Sequence, residues 1–369
     1  MEQLISFHPE IALFRNLCIG NLICAHYRFM DGHGLGILYM KSKALIVFDM
    51  DGVIIDVSRS YRDTVRQTAR LFFKGAESWK DLPDPLFSLT DLASVKQSGG
   101  LNNDWDLTFL VITLLFTLVK SPTYDQDPDP WTRYNKVIGS CDITALSQFL
   151  NSEKSPLTSL LKKNGKQKNE FITGLFTGDV GSGNIIKQIF QEIYLGKEMF
   201  EATYGIPTRM YHEKGFINRE KLMLDRSILE NLSKTNILAI ATGRPKAEAD
   251  YPLDLFGLRT FFKIIYTLDD CIKEEQNIYK NEKRRVSLSK PNPYMLDAIA
   301  ETQKHNVSRF YYIGDMPDDM LAASRSRTGF AGIGILISSS DKNKLKQDLL
   351  QAGADYIIED FEALKNIIP

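Results

Sequence analysis

The sequence has few cysteines, little net charge and no apolar run long enough for a membrane span. Its four cysteines, Cys18, Cys24, Cys141 and Cys271, match neither a disulfide framework nor a CxxC metal site. We therefore expect a reducing, cytoplasmic setting. The formal net charge of −1 gives no overall field that would attract nucleic acid or an anionic membrane.

The most apolar segment, residues 107–119, reads LTFLVITLLFTLV. Its 13 residues fall short of the roughly 18 or more that a membrane span needs, and Asp104 and Asp106 stand just before it. These features favour a buried amphipathic helix. A pair of strands stays open as an alternative, because Val, Ile, Thr and Phe are frequent in the segment.

Several short apolar runs are typical of strands that are covered on both faces. They are residues 44–48, 237–241, 310–313, 332–337 and 356–358. Their hydrophobicity is continuous rather than alternating, which indicates parallel strands between layers of helices. Because helical patterns separate the later runs, the sequence predicts an α/β fold with a doubly wound, Rossmann-like parallel sheet.

The chain has 369 residues, so we expect two structural units and an additional segment at the start. Residues 61–230 are rich in helical candidates and in Gly, Asn and Pro loops, and predict an inserted, mostly helical cap. The catalytic core then comprises residues 40–60 plus 231–369. Residues 1–39 show no clean period and predict a loosely ordered extension. A targeting peptide is the alternative, although a basic start followed by an apolar block is lacking.

Acidic and hydroxyl side chains follow three of the predicted strands. Asp49 and Asp51 follow the first strand, Thr242 follows the second and Asp315 follows the third. Open α/β sheets bind ligands beyond the carboxyl ends of their strands. We therefore expect these groups to meet in one crevice.

The stretch Phe48-Asp49-Met50-Asp51-Gly52-Val53 suits phosphoryl transfer to an aspartate. Such a transfer needs one ionised carboxylate as nucleophile and a second group that protonates the leaving oxygen. Carboxylates that pack together differ in proton affinity, which separates the two roles. Gly52 permits the chain to turn there. A surface turn without chemistry is the alternative.

A second acidic stretch, Gly314-Asp315-Met316-Pro317-Asp318-Asp319, suggests a magnesium site. Mg²⁺ takes six oxygen ligands and keeps several waters. We expect one carboxylate oxygen each from Asp49 and Asp315 and a main-chain carbonyl near Asp51, with Asp319 acting one helical turn later as an indirect ligand. The alternative is a helix N-terminus at which acidic residues favour the dipole.

Two further stretches offer groups that bind phosphate. In Thr242-Gly243-Arg244, a hydroxyl and adjacent backbone N–H groups suit phosphate oxygens. In Lys290-Pro291-Asn292-Pro293, the prolines fix an ammonium group that can offset clustered carboxylates and stabilise a transferring phosphoryl group. By itself, a Lys-Pro pair is more simply a charged loop.

These four stretches, in this order, resemble the haloacid dehalogenase superfamily. They match its DxDG motif, a strand ending in Thr, a distant Lys before Pro, and GDxxxD. The resemblance covers the core, about half of the chain. The place of the cap is similar to the subfamily that includes phosphoglycolate phosphatases and β-phosphoglucomutases, although this cap is unusually long.

The resemblance implies a magnesium-dependent phosphatase that acts on a small phosphorylated metabolite. Asp49 would be the nucleophile, which forms an aspartyl-phosphate, and Asp51 the acid/base. The remaining implied roles are phosphoryl binding by Thr242 and Lys290, and a magnesium site made of Asp49, the carbonyl of Asp51, Asp315 and Asp319.

Two other functions share these residues. A phosphomutase would return the phosphoryl group to a sugar instead of to water. A non-catalytic binding protein would use the same scaffold, although the intact set of motif residues argues against it. Contacts to the substrate are further expected from Arg62, Lys96, Asn102 and Arg244. For the cap residues, exposed helix arginines and ordinary helix capping are the alternatives.

Overall fold

The computed structural model describes residues 26–31, 34–39, 43–97, 103–120, 127–165, 168–339 and 341–368. The strands are β1 (His26–Asp31), β2 (Gly34–Tyr39), β3 (Lys43–Phe48), β4 (Ile55–Asp56), β5 (Lys221–Leu222), β6 (Ile237–Ala241), β7 (Phe262–Tyr266), β8 (Val307–Gly314), β9 (Ala331–Ile335) and β10 (Tyr356–Ile358). The helices before β6 are α1 (Tyr61–Phe72), α2 (Leu89–Gln97), α3 (Asp104–Phe116), α4 (Pro130–Gly139), α5 (Thr144–Ser152), α6 (Pro156–Asn164), α7 (Glu170–Gly174), α8 (Ile185–Tyr204) and α9 (Arg226–Thr235). The later helices are α10 (Lys246–Leu255), α11 (Leu268–Glu282), α12 (Tyr294–Gln303), α13 (Pro317–Arg325) and α14 (Lys342–Gln351).

A six-stranded parallel sheet forms the core, in the order β10-β9-β8-β3-β6-β7. From β3 the chain continues to β6 and β7 on one side and later to β8, β9 and β10 on the other. The strand order therefore changes direction at β3, which is where open α/β sheets bind ligands. The predicted doubly wound α/β fold is confirmed. The edge strand β7 was missed, because Lys263 interrupts its apolar run and most of it is only half-buried.

The continuous apolar run of β3 is explained by helices on both faces of the sheet. Leu45 and Val47 pack into one buried cluster, which includes Leu296 of α12. Ile46 and Phe48 point the opposite way, into a second cluster. Each of these four β3 side chains is 0% exposed. Since neither face of the strand meets water, the sequence shows no polar alternation there.

Helices α1 to α8 lie in the chain between β4 and β5, which pair with each other as short antiparallel strands. Helix α3 contains most of the apolar segment at residues 107–119, so the helix prediction is confirmed and the strand pair is wrong. Asn103 caps this helix by accepting a hydrogen bond from the backbone N–H of Asp106 at 2.7 Å. In the described ranges no helix combines the length and apolarity needed to cross a membrane.

The division into cap, core and N-terminal extension stays a prediction. One buried apolar cluster contains side chains both from the predicted cap, such as Phe190, and from the sheet, such as Ile240. Of the predicted extension, residues 1–25 lie outside the described residues. Strands β1 and β2 pair with each other as antiparallel neighbours and are not part of the six-stranded sheet.

Candidate active site

Backbone pairing brings the ends of three core strands together. Asp49 directly follows β3, and its N–H donates to the carbonyl of Ile313 in β8 at 2.8 Å. Thr242 directly follows β6, and its N–H donates to the carbonyl of Tyr266 at 3.0 Å. Asp315 directly follows β8. The sheet therefore places residues that are far apart in the sequence along one edge.

Three buried carboxylates form the centre of the site. Asp49, Asp315 and Asp319 are 6%, 8% and 1% exposed, and each offers an oxygen within 4.8 Å of the others. Oδ2 of Asp315 accepts a hydrogen bond from Ser338 at 2.7 Å, whereas its Oδ1 is buried and has no hydrogen-bond partner in the part of the chain that the structure describes. An open acceptor in a carboxylate cluster is a place for a cation.

Asp319, in contrast, accepts hydrogen bonds from the protein at both carboxylate oxygens. Its Oδ1 accepts from Lys290 and from the hydroxyl of Tyr312, both at 2.8 Å. Its Oδ2 accepts from the backbone N–H of Met316 at 3.0 Å. Asp315 is thus placed to hold a metal directly, and Asp319 is placed to orient the lysine beside it.

Lys290 is the cation that the structure places inside this cluster. Its Nζ lies 2.7 Å from Oδ1 of Asp49 and 2.8 Å from Oδ1 of Asp319. Burial acts to lower the pKa of Lys290, but the two carboxylates outweigh burial and hold it above its ordinary value. The ammonium group therefore stays charged.

One lysine does not neutralise the cluster. Burial raises the pKa of Asp49 well above its ordinary value; Lys290 opposes this shift, and neighbouring carboxylates add to it. Burial and then Asp319 raise the pKa of Asp315 to about 6. A divalent cation among these oxygens would favour their ionised forms, and carboxylate oxygens are ligands that Mg²⁺ prefers. The residues present fit the predicted magnesium ion.

Two glycines let the acidic side chains approach each other. Gly52 has a φ of +73°, and a Cβ there would lie 2.0 Å from Oδ2 of Asp315. A Cβ on Gly314 would lie 2.3 Å from the Cβ of Asp319. Both distances are shorter than non-bonded carbon and oxygen atoms tolerate, so the glycines of the two acidic motifs are sterically required.

Asp51 is held by Arg244 and lines the cavity. Nε of Arg244 donates to Oδ1 of Asp51 at 2.6 Å, and the Asp51 side chain is 34% exposed. Arg244 itself is only 2% exposed. The structure therefore places Arg244 against the predicted acid/base in the cavity wall, whereas Arg62 and Lys96 belong to the predicted cap.

The predicted phosphate-binding residues differ in their access to the cavity: Gly243 and Lys290 line it, whereas Thr242 is not among the described residues that do. Thr242 is 1% exposed, and its Oγ1 accepts from the backbone N–H of Arg244 at 3.2 Å. Gly243 lines the cavity, and the space beside its Cα is open to at least 4 Å. Its missing side chain leaves the main chain accessible to a ligand.

The cavity has a volume of about 520 Å³, and its wall contains the carboxylate cluster and two cations of the predicted cap. These cations, Arg62 and Lys96, both donate to Oδ1 of Asp104, Lys96 at 3.1 Å. Burial and then Arg62 lower the pKa of Lys96, and Asp104 opposes that shift. Two cations share one carboxylate, so a positive charge is left over. Asn102 lies outside the described residues.

Sequence reasoning missed Tyr312 and Ser338. The sequence predicts Tyr312 only as part of a strand, although a buried tyrosine hydroxyl needs a partner, and its partner here is Asp319. Ser338 comes shortly after β9, the next strand of the sheet. The same rule that selected Asp49 and Asp315, a polar group after a buried strand, would have identified it.

Comparison with known proteins supports the predicted family. Residues 225–333 match the family model described as haloacid dehalogenase-like hydrolase. This segment contains Thr242, Lys290, Asp315 and Asp319, but not Asp49. The resemblance to the haloacid dehalogenase superfamily is thus confirmed over that segment. No curated protein matches the chain.

Solved structures match most of the chain. An X-ray structure of a structural genomics target is 22% identical, with a TM-score of 0.59, and the alignment covers 88% of this chain and 98% of that one. At this identity the likeness shows a shared fold. A phosphatase from Thermococcus thioreducens is 21% identical (84% and 100% covered, TM-score 0.46). A predicted phosphoglycolate phosphatase from Haemophilus somnus is 16% identical (89% and 99% covered, TM-score 0.43).

Proposed function

We propose that the chain is a magnesium-dependent phosphatase that hydrolyses a small phosphate monoester. The observation that carries the proposal is the buried cluster of Asp49, Asp315, Asp319 and Lys290, in which Oδ1 of Asp315 has no partner among the described residues. A structural ion pair alone does not explain three buried carboxylates around one lysine, because unpaired buried charges are costly.

Asp49 is the nucleophile in this proposal. Its carboxylate attacks phosphorus and the bond to the leaving oxygen breaks, while Asp51 donates a proton to that oxygen. A water molecule then attacks the aspartyl-phosphate with Asp51 as base. Inorganic phosphate leaves, and both carboxyl groups return to their starting states. Thr242, Gly243 and Lys290 bind the phosphoryl oxygens.

Asp49 and Asp315 would hold the magnesium ion, together with the carbonyl of Asp51, and Asp319 would support the site through Lys290. When bound, the cation offsets the negative charge of the carboxylates and of the phosphoryl oxygens. The protein's own contribution is to bury the carboxylates and to fix Lys290 beside them at the wall of the cavity.

The direct test is hydrolysis of a nitrophenyl phosphate with and without metal. We expect release of inorganic phosphate with Mg²⁺, background release in excess EDTA, and recovery when Mg²⁺ is restored. Turnover that persists unchanged in EDTA would contradict the metal dependence. With a hexose 1-phosphate, isomerisation without release of phosphate would assign the mutase reaction instead.

Ser338→Ala should weaken the use of magnesium. The substitution removes the hydrogen bond that fixes Asp315, and loss of such a supporting contact typically costs about 10- to 100-fold in metal affinity. We expect the Mg²⁺ concentration for half-maximal phosphatase activity to rise by about tenfold. Ser339→Ala is the matched control, since the Ser339 hydroxyl accepts from the backbone of Asp341 instead. Equal Mg²⁺ curves for both variants would refute the role of Ser338.

We further propose that Arg62 and Lys96 bind an anionic, non-reacting group of the substrate. Lys96→Met should lower kcat/KM by about tenfold for a carboxyalkyl phosphate. For the corresponding neutral amide the decrease should be smaller, because only the carboxylate substrate loses a charge-assisted hydrogen bond. The control is Lys154→Met, at an exposed position outside the cavity. It should keep the parent's ratio of kcat/KM for the two substrates. A parent enzyme that prefers the amide would contradict the proposal.

A further inference from the structure

A buried polar network lies behind Asp51. At its centre is Arg244, whose Nη1 and Nη2 donate to the two carboxylate oxygens of Glu220, each at 3.0 Å. Nη1 also lies 3.1 Å from the carbonyl of Glu248 and 3.3 Å from the hydroxyl of Tyr194. With Nε on Asp51, every nitrogen of the guanidinium group has a protein acceptor.

Glu220 is itself fixed by one residue of the predicted core, Ser60, and one of the predicted cap, Tyr194. Its side chain is 0% exposed, and its Oε1 accepts from Ser60 at 3.1 Å and from the hydroxyl of Tyr194 at 2.9 Å. Ser60 immediately precedes α1 and Tyr194 belongs to α8. The bidentate pair with Arg244 fixes the plane of the guanidinium group, because two parallel hydrogen bonds leave it no rotation.

Tyr61 and Glu248 close the network on its other side. The ring of Tyr61 stacks on that of Tyr194 at 4.1 Å between centroids, and its hydroxyl donates to Glu248. Gln191 of α8 donates to the second oxygen of Glu248 at 2.9 Å. Arg244 therefore has little freedom to shift.

This arrangement determines where Asp51 sits. The N–H bond at Nε of a fixed guanidinium group points in one direction, and Oδ1 of Asp51 lies along that direction. Within the described residues, no side chain forms a hydrogen bond with Oδ2. The carboxyl group is thus anchored by one oxygen, and the other can face the leaving oxygen of a substrate in the cavity.

We propose that Arg244, held by Glu220, is the positioning residue for the general acid Asp51. The inference rests on the phosphatase mechanism proposed above. A general acid has to lie within hydrogen-bond reach of the leaving oxygen, and a displacement of about 1 Å can cost about 100-fold in rate. Glu220 and Arg244 thereby connect the cap helices to the proton-transfer step.

Substrates with different leaving groups distinguish a positioning role of Arg244 from a purely structural one. A primary alkyl phosphate needs protonation of its leaving oxygen, whereas a nitrophenyl phosphate leaves as a stable anion and needs little. The ratio of kcat/KM for the two esters therefore reports on Asp51. The value of kcat/KM depends only on the steps up to and including the first irreversible one. Slow hydrolysis of the aspartyl-phosphate, which comes later, therefore does not affect it.

The experiment uses Arg244→Lys and Glu220→Gln in the full chain with Mg²⁺. In Arg244→Lys, we expect kcat/KM to fall by about 100-fold with the alkyl ester and by less than about tenfold with the aryl ester. In Glu220→Gln, the loss should again be larger with the alkyl ester, but the difference between the two esters should be smaller. The matched control is Arg259→Lys, which alters an exposed arginine paired with Asp254 and Asp250. It should keep the parent ratio.

Equal losses with both esters in a folded variant would overturn the inference. Glu220→Gln keeps the side-chain shape and supplies the test if Arg244→Lys does not fold; failure of both to fold would assign the network to stability and also overturn it. If the parent enzyme hydrolyses the aryl ester but the variants keep the parent ratio, only this inference fails. If the parent hydrolyses neither ester, the proposed function fails as well.

Discussion

Asp49→Asn is expected to abolish turnover while the fold survives. An amide oxygen is a poor nucleophile, so we expect kcat for a nitrophenyl phosphate to fall by about 10⁴-fold or more, comparable to the loss of other covalent nucleophiles. Asn has nearly the same shape as Asp, and Lys290 keeps its contact with Asp319. Removing one of several buried carboxylates also relieves their repulsion.

The measurement pairs initial rates with thermal unfolding of the same preparation. The Tm of Asp49→Asn should stay within a few degrees of the parent value or rise. Asp318→Asn is the matched control, because it changes a neighbouring acidic residue outside the carboxylate cluster and should keep most of the activity. Full activity in Asp49→Asn, checked by mass spectrometry for deamidation back to Asp, would eliminate the covalent mechanism.

Central strands such as β3 could be predicted from the sequence because they are buried on both faces. The run Ala44 to Phe48 shows this: its alternate side chains enter two different apolar clusters, so no polar residue interrupts the run. The same logic failed for β7, an edge strand whose half-exposed surface admits Lys263. Continuous apolar runs thus identify the central strands of a parallel sheet, whereas of its two edge strands they identify β10 and miss β7.

The acidic motifs could also be recognised, because Asp49 and Asp315 stand at strand ends and their glycines have a steric reason to be there. The partner of Asp51 could not be inferred in this way. Arg244 lies 193 residues later, and Glu220 belongs to the segment predicted as cap. Pairing between residues so far apart depends on how cap and core pack, which local patterns do not encode.

The two cations in the cavity wall show a similar limit. Capping of α3 by Asn103 and surface exposure of Arg62 were the simple alternatives to a substrate role. The structure shows the capping, but it also places Arg62 and Lys96 together on Asp104 in the cavity wall. A local signal such as a helix cap therefore does not exclude a second role for the residue beside it.

Lys290→Met should have the largest effect on stability. Without the ammonium group, the carboxylates of Asp49 and Asp319 are buried with no cation, and breaking a buried ion pair typically costs about 3–5 kcal/mol. We expect that loss in the free energy of urea unfolding at pH 7 in EDTA, and a loss of phosphatase activity of about 100-fold or more.

The pKa shifts determine in which direction the stability deficit of Lys290→Met changes with pH. Because the folded pKa of Lys290 lies above its ordinary value of 10.5, the lysine's contribution is fully present at pH 7 and is lost only as pH rises through the folded pKa. The variant's carboxylates, in contrast, can protonate, since the pKa of Asp49 is already raised. The stability deficit of Lys290→Met should therefore shrink toward acid pH, and added Mg²⁺ should also reduce it.

The control for Lys290→Met is Lys246→Met, which removes an exposed lysine paired with Asp250. An exposed pair contributes about 0–1 kcal/mol, so this variant should unfold close to the parent at every pH. If Lys290→Met were as stable as the parent at pH 7 in EDTA, the buried carboxylates would have to be protonated in the resting protein. Asp49 would then lack the ionised form that the proposed attack on phosphorus requires.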